Sequence, residues 1–419
     1  MINIFGEPRA RLLTGDVQCC PTRARRGRGP DPQRGPEGVV DHTTVLIAGA
    51  GPAGLVLGNL LRAEGIETLV VERASRAQVQ ARARAGFLGP NSVRVLAEHG
   101  LATGLLHKGQ SHGVCAFRGE HGEFELDYAL LGQGDVHTVY PQQELVTDLV
   151  AEYLDRGGDL RFGVTITGVD AHTATIRYRD DRGEGLVAAR FLAGCDGGNG
   201  VTRTALPGRR HRQDHGVSWL AVLAEAPQSM TAVTYAVHDD GFAGHMARSP
   251  EVTRYYLQVP PGDEPEDWTD ERIWAALDTR LRVEELGQLK QGPISERRIV
   301  RLRSDVTDPI QHDRLFLAGD AASLISPSAA KGANLAIMEA EVLASALISA
   351  LRDDERPLAA YSRTCLPRIW RAQEFSRWMI DLLHGPRDDF HRALRRARLD
   401  GLRDCRAHQN FFAEQYVGI

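Results

Sequence analysis

A short apolar run, a glycine cluster and a helical repeat of leucines follow one another between residues 45 and 74. Val45-Leu46-Ile47 has the continuous apolar character of a buried strand. After the glycines, apolar residues return at the spacing of one helix face, at Leu55, Leu57, Leu60 and Leu61. The segment 68–72, Thr-Leu-Val-Val-Glu, has the pattern of a second buried strand. The pattern therefore predicts a β-α-β unit in this part of the chain.

Beyond this unit, helical and strand patterns occupy different stretches. Amphipathic helices are predicted at 90–101, 142–158 and 271–282. A β-meander is predicted at 160–180, and strand patterns dominate 214–262. From residue 333 to the end the pattern is helical. The chain is therefore expected to combine an α/β unit with a β-rich part and a helical end.

Composition excludes several classes of protein. The net charge of the 419 residues is −5 and the arginines form no continuous basic tract, so a nucleic-acid partner is not expected. The six cysteines have no metal-binding spacing, which favours reduced thiols in a cytoplasmic protein without a metal site. No apolar run approaches about 18 residues, so no membrane partner is expected.

The glycine cluster has the spacing of a dinucleotide-binding turn. Gly49 would allow the tight turn, Gly51 would let the backbone approach a pyrophosphate, and Gly54 would let the helix pack closely on the strand. Ala53 lies in the same turn, and Glu72 at the end of the second strand can accept from a ribose hydroxyl. The alternative is a glycine-rich turn without a ligand, which the strand, the helix and the acidic residue together disfavour.

Lys331 is one of three lysines among 50 basic residues, and it directly precedes Gly332-Ala333-Asn334. There it would open a helix and face a bound ligand. Helix N-termini carry partial positive charge and unpaired N–H groups, so a cofactor with a pyrophosphate or an anionic ring is the expected ligand. With the glycine turn, this segment indicates a flavoprotein that binds FAD.

Several further motifs carry a resemblance to one enzyme family. They are Cys195-Asp196-Gly197, Gly319-Asp320-Ala321-Ala322, and the longer stretches 82–86, 139–145, 309–320, 361–379 and 415–418. From Val45 to Ile419 the chain resembles the single-component flavoprotein aromatic hydroxylases. The resemblance implies a monooxygenase that uses NAD(P)H and O2 to hydroxylate the ring of a 4-hydroxybenzoate-type aromatic acid, and a homodimer.

The expected fold is mixed α/β (α+β), with a Rossmann-like FAD-binding domain, an inserted β-rich substrate domain and C-terminal helices. The expected divisions are an FAD-binding domain at 41–213 with 300–330 returning to it, a substrate-binding domain at 214–299, and a helical interface region at 331–419. Residues 1–40 are rich in Arg, Pro and Gly, which predicts a disordered extension. Contact of this tail with RNA or an acidic partner is the less favoured reading.

The resemblance assigns further residues to the cofactor. It implies that Arg84 and Gln142 hold the flavin, that Asp320 accepts from a ribityl hydroxyl, and that Asp196 shapes the region where flavin and pyridine nucleotide meet. It also implies that Ala333 and Asn334 present groups to the flavin ring, with Lys331 supplying positive potential. Arg73, Arg76 and Arg82 favour NADPH over NADH as the reductant, although Gln78 stands where the family has a tyrosine.

The resemblance also assigns the substrate site. It places Tyr235 beside the substrate phenol and Tyr416 behind it, with the Pro327 carbonyl as a further acceptor and His112 at the outer end of a proton relay. Arg248 and Tyr256 match residues that hold the substrate carboxylate, and arginine suits a planar anion. Taken alone, Tyr235 in a strand is more often a packing residue and His112 a surface histidine.

Three positions depart from the hydroxybenzoate-type members of the family. Met246 replaces a serine that bonds the carboxylate, Gly244 replaces a leucine of the pocket wall, and Phe87 replaces a valine. New room beside the ring is therefore expected, which admits a ring-substituted relative such as 3-amino-4-hydroxybenzoate. The alternatives are another FAD-dependent phenol or polyketide hydroxylase, a flavin oxidoreductase or halogenase, and a non-enzymatic flavin-binding protein. The halogenase Trp-x-Trp-x-x-Ile motif is absent from the sequence.

Overall fold

The described part of the chain begins in a buried strand that ends at the glycine turn. The computed structural model describes residues 40–82, 86–119, 122–282, 288–385 and 388–418. The predictions made for residues 1–39 and for Arg84 lie outside these ranges. Within the described residues the mixed α/β class is confirmed, with helices and strands alternating up to residue 324 and helices following.

Strands and helices are numbered in chain order. The described strands are β1 (Val40–Ala48), β2 (Thr68–Glu72), β3 (Phe87–Leu88), β4 (Gln110–His112), β5 (Val114–Gly119), β6 (Gly122–Asp127), β7 (His137–Val139), β8 (Asp159–Phe162), β9 (Thr165–Asp170), β10 (Thr175–Asp180), β11 (Gly183–Gly194), β12 (Arg209–Ala224), β13 (Val233–His238), β14 (Gly241–Ser249), β15 (Val252–Val259), β16 (Ile294–Asp308), β17 (Gln311–His312), β18 (Leu315–Leu317) and β19 (Ser323–Leu324).

The described helices are α1 (Pro52–Ala63), α2 (Arg76–Ala81), α3 (Pro90–Glu98), α4 (Thr103–Lys108), α5 (Tyr128–Leu131), α6 (Gln142–Asp155), α7 (Asp270–Leu281), α8 (Gly332–Leu351), α9 (Arg356–Ala359), α10 (Tyr361–His384), α11 (Asp389–Asp404) and α12 (Arg406–Val417). Short 3-10 helices lie at Thr202–Ala205, Pro265–Asp267, Gly319–Ala321 and Pro327–Ala329.

The first sheet is mostly parallel and is centred on β1. Its order is β17-β18-β11-β1-β2-β8, with β10 pairing β11 and β9 pairing β10. β1 pairs in parallel with both β11 and β2, and Val45, Leu46 and Ile47 are fully buried. Parallel sheets are usually covered on both faces, which accounts for this continuous apolar run. The glycine turn, the Cys195-Asp196-Gly197 motif and the Gly319-Asp320 motif follow the carboxyl ends of β1, β11 and β18, where sheets of this type bind ligands.

The second sheet forms the wall opposite the cofactor segment. Its order is β19-β16-β12-β15-β14-β13-β5-β6. β12 and β16 are strands of 16 and 15 residues that pair antiparallel along most of their length. The hairpin β5–β6 joins this sheet through a parallel pairing of β5 with β13, although it precedes residue 214, where the substrate domain was expected to begin.

A small third sheet and the C-terminal helices complete the fold. The small sheet has the order β3-β7-β4 and brings Phe87, His112 and His137 close together. By length and composition α8 is the one described helix that could span a membrane, and 67% of its apolar window is buried inside the protein. α8 packs on α1 and on α10, and its N-terminus opens toward the space between the two large sheets.

Candidate active site

The glycine turn has a geometry that only glycine permits at two of its positions. Gly49 has φ +107°, and a Cβ there would lie 2.3 Å from the Cys195 carbonyl oxygen. A Cβ at Gly54 would lie 2.0 Å from the Gly49 carbonyl oxygen. A Cβ at Gly51 would meet nothing within 4 Å, so its backbone is open to the cavity. This geometry fits the cradle that a dinucleotide pyrophosphate needs.

Glu72 fixes the shape of that turn. Its two carboxylate oxygens accept from the backbone N–H groups of Ala50, at 3.0 Å, and Ala74, at 2.9 Å. The same side chain lines the cavity, so it can also accept from a ribose hydroxyl. The carboxylate therefore has a structural role that the sequence interpretation did not include.

The buried side chain of Arg203 connects the Cys195-Asp196-Gly197 motif to the Gly319-Asp320 motif. Arg203 Nη2 donates to the carbonyl oxygens of Gly197, at 3.2 Å, and Asp320, at 3.1 Å. Its Nη1 forms an ion pair with Asp305 at 3.3 Å. The carboxylates of Asp196 and Asp320 both line the cavity, and Asp196 accepts from the N–H and hydroxyl of Thr202. Sequence reasoning missed Arg203 because its partners lie up to 117 residues away.

One cavity of about 750 Å3 runs from the glycine turn to the second sheet. At the nucleotide end, the residues predicted for the cofactor that line it are Gly51, Ala53, Glu72, Arg73, Arg82, Gln142, Asp196, Asp320 and Ala333. At the apolar end, the residues predicted for the substrate that line it are Tyr235, Met246, Tyr256, Pro327 and Tyr416. Gly49, Gly54, His112, Arg248, Lys331 and Asn334 are outside this lining. The structure thus brings most of the predicted residues to one site.

The apolar end has a glycine between two tyrosines. Tyr235, Gly244 and Tyr256 pair in register on the neighbouring strands β13, β14 and β15. Room was expected at Gly244, but a Cβ there would lie 2.9 Å from the ring of Phe242. That expectation was wrong in part, because the buried Phe242 ring stacks on Trp219 and occupies this space.

His384 is hydrogen-bonded to Trp219 and to Gln258, and it packs against the ring of Phe242. Trp219 Nε1 donates to His384 Nε2 at 3.0 Å, so the imidazole is neutral at that nitrogen and Nδ1 donates to Gln258 Oε1 at 3.0 Å. The same Gln258 oxygen accepts from the Phe242 backbone N–H. Burial lowers the pKa of His384 to about 3, which keeps it in this neutral form.

The two tyrosines predicted for proton transfer are in direct contact. The hydroxyls of Tyr235 and Tyr416 lie 2.6 Å apart, and both side chains are buried. Burial raises the pKa of each phenol, so neither holds a stable negative charge at neutral pH. The pair can therefore pass a proton onward without keeping a charge in the cavity.

Lys331 lies elsewhere than expected. It precedes α8, but its Nζ donates to the carbonyl oxygens of Tyr416, at 2.7 Å, and Gly418, at 2.8 Å, and it does not line the cavity. These carbonyls end α12 and attract the ammonium group. Burial lowers the pKa of Lys331 to about 7. Its charge can still act on the cavity, although its side chain does not face it.

The side chain of Asn334 is also hydrogen-bonded to other groups of the protein. Its amide nitrogen donates to the carbonyls of Phe87 and Ala330, and its oxygen accepts from the Gly89 N–H at 2.7 Å. These bonds connect β3 to α8. The side chain of Asn334 therefore positions the start of the helix, and only its backbone is free to contact a cofactor.

The arginines near the apolar end differ in their surroundings. Arg248 Nη2 donates to Gln143 Oε1 at 2.6 Å, and burial lowers the pKa of its guanidinium to about 10. Arg254 lines the cavity and is 2% exposed, and its Nε and Nη2 have no hydrogen-bond partner among the described residues, although Nη2 lies 3.7 Å from a Glu296 carboxylate oxygen. A buried guanidinium with free donors can hold an anion. The sequence interpretation singled out Arg248 and missed Arg254.

Comparison with known proteins also indicates that the chain contains an FAD-binding domain. The protein family described as FAD binding domain matches residues 42–376. The chain is 37% identical over 387 residues to p-hydroxybenzoate hydroxylase from Acinetobacter baylyi, covering 90% of this chain and 95% of that protein. It is 29% identical to rifampicin monooxygenase from Streptomyces venezuelae over 71% of this chain and 62% of that protein.

Solved structures share the fold. Superposition on p-nitrophenol 4-monooxygenase from Pseudomonas putida gives a TM-score of 0.79 at 18% identity, covering 90% of this chain and 99% of that one. Superposition on PqsL from Pseudomonas aeruginosa gives a TM-score of 0.71 at 22% identity, covering 85% and 100%. The chain belongs to the FAD-dependent aromatic hydroxylases.

Proposed function

We propose that this protein hydroxylates the ring of a 4-hydroxybenzoate-type aromatic acid, with NADPH as reductant and O2 as oxidant. The single observation that carries the proposal is the Tyr235–Tyr416 hydroxyl pair, 2.6 Å apart, at the apolar end of a cavity that begins at a dinucleotide-binding turn. Similarity to p-hydroxybenzoate hydroxylase over most of both chains supports the same substrate class.

The residues present fit FAD. The turn at Gly49, Gly51 and Gly54 would hold its pyrophosphate, Glu72 a ribose hydroxyl, and Asp320 the ribityl chain. When bound, FAD supplies acceptance of two electrons from the nicotinamide and activation of O2. The protein supplies binding, orientation and electrostatics around it. Arg73 and Arg82, which line the nucleotide end, would offer positive charge to the extra phosphate of NADPH.

The protein activates the substrate by removing the phenol proton. A substrate phenol beside Tyr235 would donate its hydrogen bond to the Tyr235 oxygen, which passes its own proton to Tyr416. The ring carbon ortho to the resulting phenolate is electron-rich and is the position that is hydroxylated. Trp219, Phe242 and Met246 exclude water from this end of the cavity.

The carboxylate of the substrate would be held at the arginine side. Arg254 lines the cavity and has two donors without a hydrogen bond, one of them beside Glu296, and Arg248 could exchange its bond with Gln143 for a bond with the ligand. Met246 offers no hydrogen bond, so this grip depends on arginine and on Tyr256. We propose 4-hydroxybenzoate or a ring-substituted relative such as 3-amino-4-hydroxybenzoate as the substrate.

A panel of phenolic acids tests the proposal. The purified FAD-loaded protein is mixed with NADPH or NADH, O2 and each of 4-hydroxybenzoate, 3-amino-4-hydroxybenzoate, 4-aminobenzoate and 4-nitrophenol. We expect coupled formation of an ortho-hydroxylated product only from compounds with both a phenol and a carboxylate. Preferential hydroxylation of 4-nitrophenol, or of none of the four, would contradict the proposal.

A further inference from the structure

A buried histidine that the proposed mechanism does not use lies next to Tyr416. His137, in β7, is fully buried, and neither of its ring nitrogens makes a hydrogen bond of good geometry among the described residues, although the Tyr416 backbone carbonyl lies close enough to interact with the ring. A buried polar group without a partner costs free energy, and an apolar side chain would pack in this place without that cost. Packing alone therefore does not account for an imidazole at this position.

The ring of His137 is surrounded by aromatic groups of the site. It stacks on Phe87 with ring centroids 4.2 Å apart, and it meets Tyr416 edge-on with centroids 4.9 Å apart. Tyr128 packs against the rings of both Tyr416 and His137. His137 therefore contacts Tyr416, the second tyrosine of the pair.

The other side of His137 leads toward solvent. His137 and His112 are directly opposite each other on the antiparallel strands β7 and β4, so their side chains lie on the same face. His112 is only partly buried, and its Nε2 is a buried atom without a partner among the described residues. An unpartnered imidazole therefore stands on each of the two strands between Tyr416 and the protein surface.

We infer that His137 is the relay residue that carries the substrate's phenolic proton from Tyr416 to His112 and then to water. The inference rests on the proposed function, because the proton originates on a bound phenol. The substrate proton goes to Tyr235, and that of Tyr235 goes to Tyr416. No hydrogen bond joins His137 to the Tyr416 hydroxyl or to His112 among the described residues, so transfer from Tyr416 to the free nitrogen of His137 requires a rotation of the imidazole. The other nitrogen of His137 releases its proton to His112, and His112 releases one to water. One proton leaves, and every protein group regains its neutral form.

The charged and titratable groups that face His137 disfavour a lasting positive charge on its ring. Burial, together with the nearby Lys331 and His112, opposes a positive charge on its ring, so the pKa of His137 lies well below its ordinary value. Tyr128 and Tyr416 are phenols whose pKa burial raises, so neither provides a compensating negative charge. A proton that reaches His137 is therefore passed on.

The test measures proton release without turnover. The FAD-loaded, oxidised protein is mixed rapidly with 4-hydroxybenzoate in weak buffer containing a pH-indicator dye, and phenolate formation is followed by its ultraviolet absorbance. Flavin absorbance gives the Kd separately. We expect His137→Gln to slow proton release by roughly 10- to 100-fold while the Kd changes by less than about 3-fold. His112→Gln should slow release similarly, and the double variant should be no slower than the slower single variant, since both groups act in series.

Controls separate a relay from a structural role. His137→Ala leaves a space beside Phe87, and free imidazole added to this variant should restore much of the lost rate in proportion to its concentration. His107→Gln, at an exposed position on α4, should behave as wild type. Unchanged proton release in His137→Gln, with wild-type phenolate formation intact, would overturn the relay. Absence of phenolate formation in wild type would overturn the proposed function, and the relay with it.

Discussion

Tyr235 makes two separate contacts in the site, one through its ring and one through its hydroxyl. Its ring stacks on Phe117 with centroids 5.4 Å apart, and its hydroxyl meets Tyr416. Removal of the hydroxyl leaves the ring contact in place. Substitutions at Met246 and Glu339 can likewise change the chemistry of one side chain, and each leads to a prediction.

Tyr235→Phe should bind 4-hydroxybenzoate within about 3-fold of wild type, while hydroxylation falls roughly 100-fold and peroxide release rises. The lost hydroxyl stabilises the developing phenolate and contributes little to binding of the ground state. The measurement compares product formed with NADPH and O2 consumed. Full coupling in this variant would remove Tyr235 from the mechanism.

Met246→Ser should tighten binding of 4-hydroxybenzoate. Serine at this cavity position would offer a hydrogen bond to the substrate carboxylate, worth about 1.5–3 kcal/mol when made to a charged group. Met246→Ala is the matched control, because it removes the same bulk without adding a hydroxyl. Equal Kd values for the serine and alanine variants would show that the carboxylate does not lie near residue 246.

Glu339→Gln should stabilise the protein at pH 8 and leave it nearly unchanged at pH 5. Glu339 is 1% exposed, Oε1 has no hydrogen-bond partner among the described residues, and burial raises its pKa from 4.5 to about 8. The folded state then binds more protons than the unfolded state between these values, so the free energy of unfolding falls as pH rises from 4.5 to about 8.

Thermal unfolding at pH 5, 6, 7 and 8 measures this effect, which should be on the order of 2 kcal/mol at pH 8. The amide oxygen of the introduced glutamine would keep an acceptor for the Gly319 N–H without a charge. Glu341→Gln, on the same helix but partly exposed, is the control. Parallel curves for wild type and Glu339→Gln across this pH range would exclude a buried proton on Glu339.

The contacts of some of these residues could not be predicted from the neighbouring sequence. Gly49, Gly51 and Gly54 could be, because strand, turn and helix are adjacent in sequence. The direction of Lys331 could not, because its partners lie 85 and 87 residues further along the chain. His137 had no motif, since its neighbours come from β3, β4, α5 and α12. Phe242 fills the space at Gly244 through a ring packing that no spacing indicates.

At the scale of elements, parallel pairing brings the ends of β1, β11 and β18 to one ligand-binding edge, and a side chain also connects two of the loops that follow. Arg203 supplies that connection, as it bonds to the loops after β11 and β18 at once. The β-α-β unit was predictable because its contacts are local. The hairpin β5–β6 was not assigned to the second sheet, because the pairing of Cys115 with Val233 joins residues far apart in sequence.

Arg203→Lys should weaken FAD binding by roughly 10- to 100-fold while the fold is retained. Lysine keeps the charge beside Asp305, but one ammonium group cannot reach the carbonyls of both Gly197 and Asp320. The measurement is the Kd for FAD after the cofactor has been removed and added back. Arg212→Lys is the matched control, since Arg212 also faces Asp305, at 3.5 Å, but is exposed. Equal FAD affinity in the two variants would contradict the role of Arg203.

At the scale of the whole molecule, the described chain leaves large apolar side chains exposed on its C-terminal helices. Trp370, Phe390, Leu394 and Phe411 are 41%, 69%, 42% and 39% exposed. Exposed apolar side chains mark a protein interface when they form one contiguous patch. We propose that these side chains lie at the interface of a homodimer, within the helical region at 331–419 that the sequence predicts as an interface.

The FAD-loaded protein should therefore sediment as a dimer, and Phe390→Glu combined with Leu394→Glu should sediment as a monomer, because two charges would be buried at the interface. Leu106→Glu is the control, as Leu106 is 67% exposed on α4, away from these helices. Sedimentation velocity at several concentrations gives the result. A monomeric wild type, or a dimeric double variant, would place the interface elsewhere or exclude it.

The two ends of Tyr416 serve different parts of the site. Its hydroxyl meets Tyr235, while its carbonyl oxygen, with that of Gly418, accepts from Lys331. A shift of the last turn of α12 would therefore move the acid–base group and the positive charge together. Lysine at 331 and the backbone path at residues 416–418 therefore depend on each other: a change at either one leaves the other without its hydrogen-bond partner.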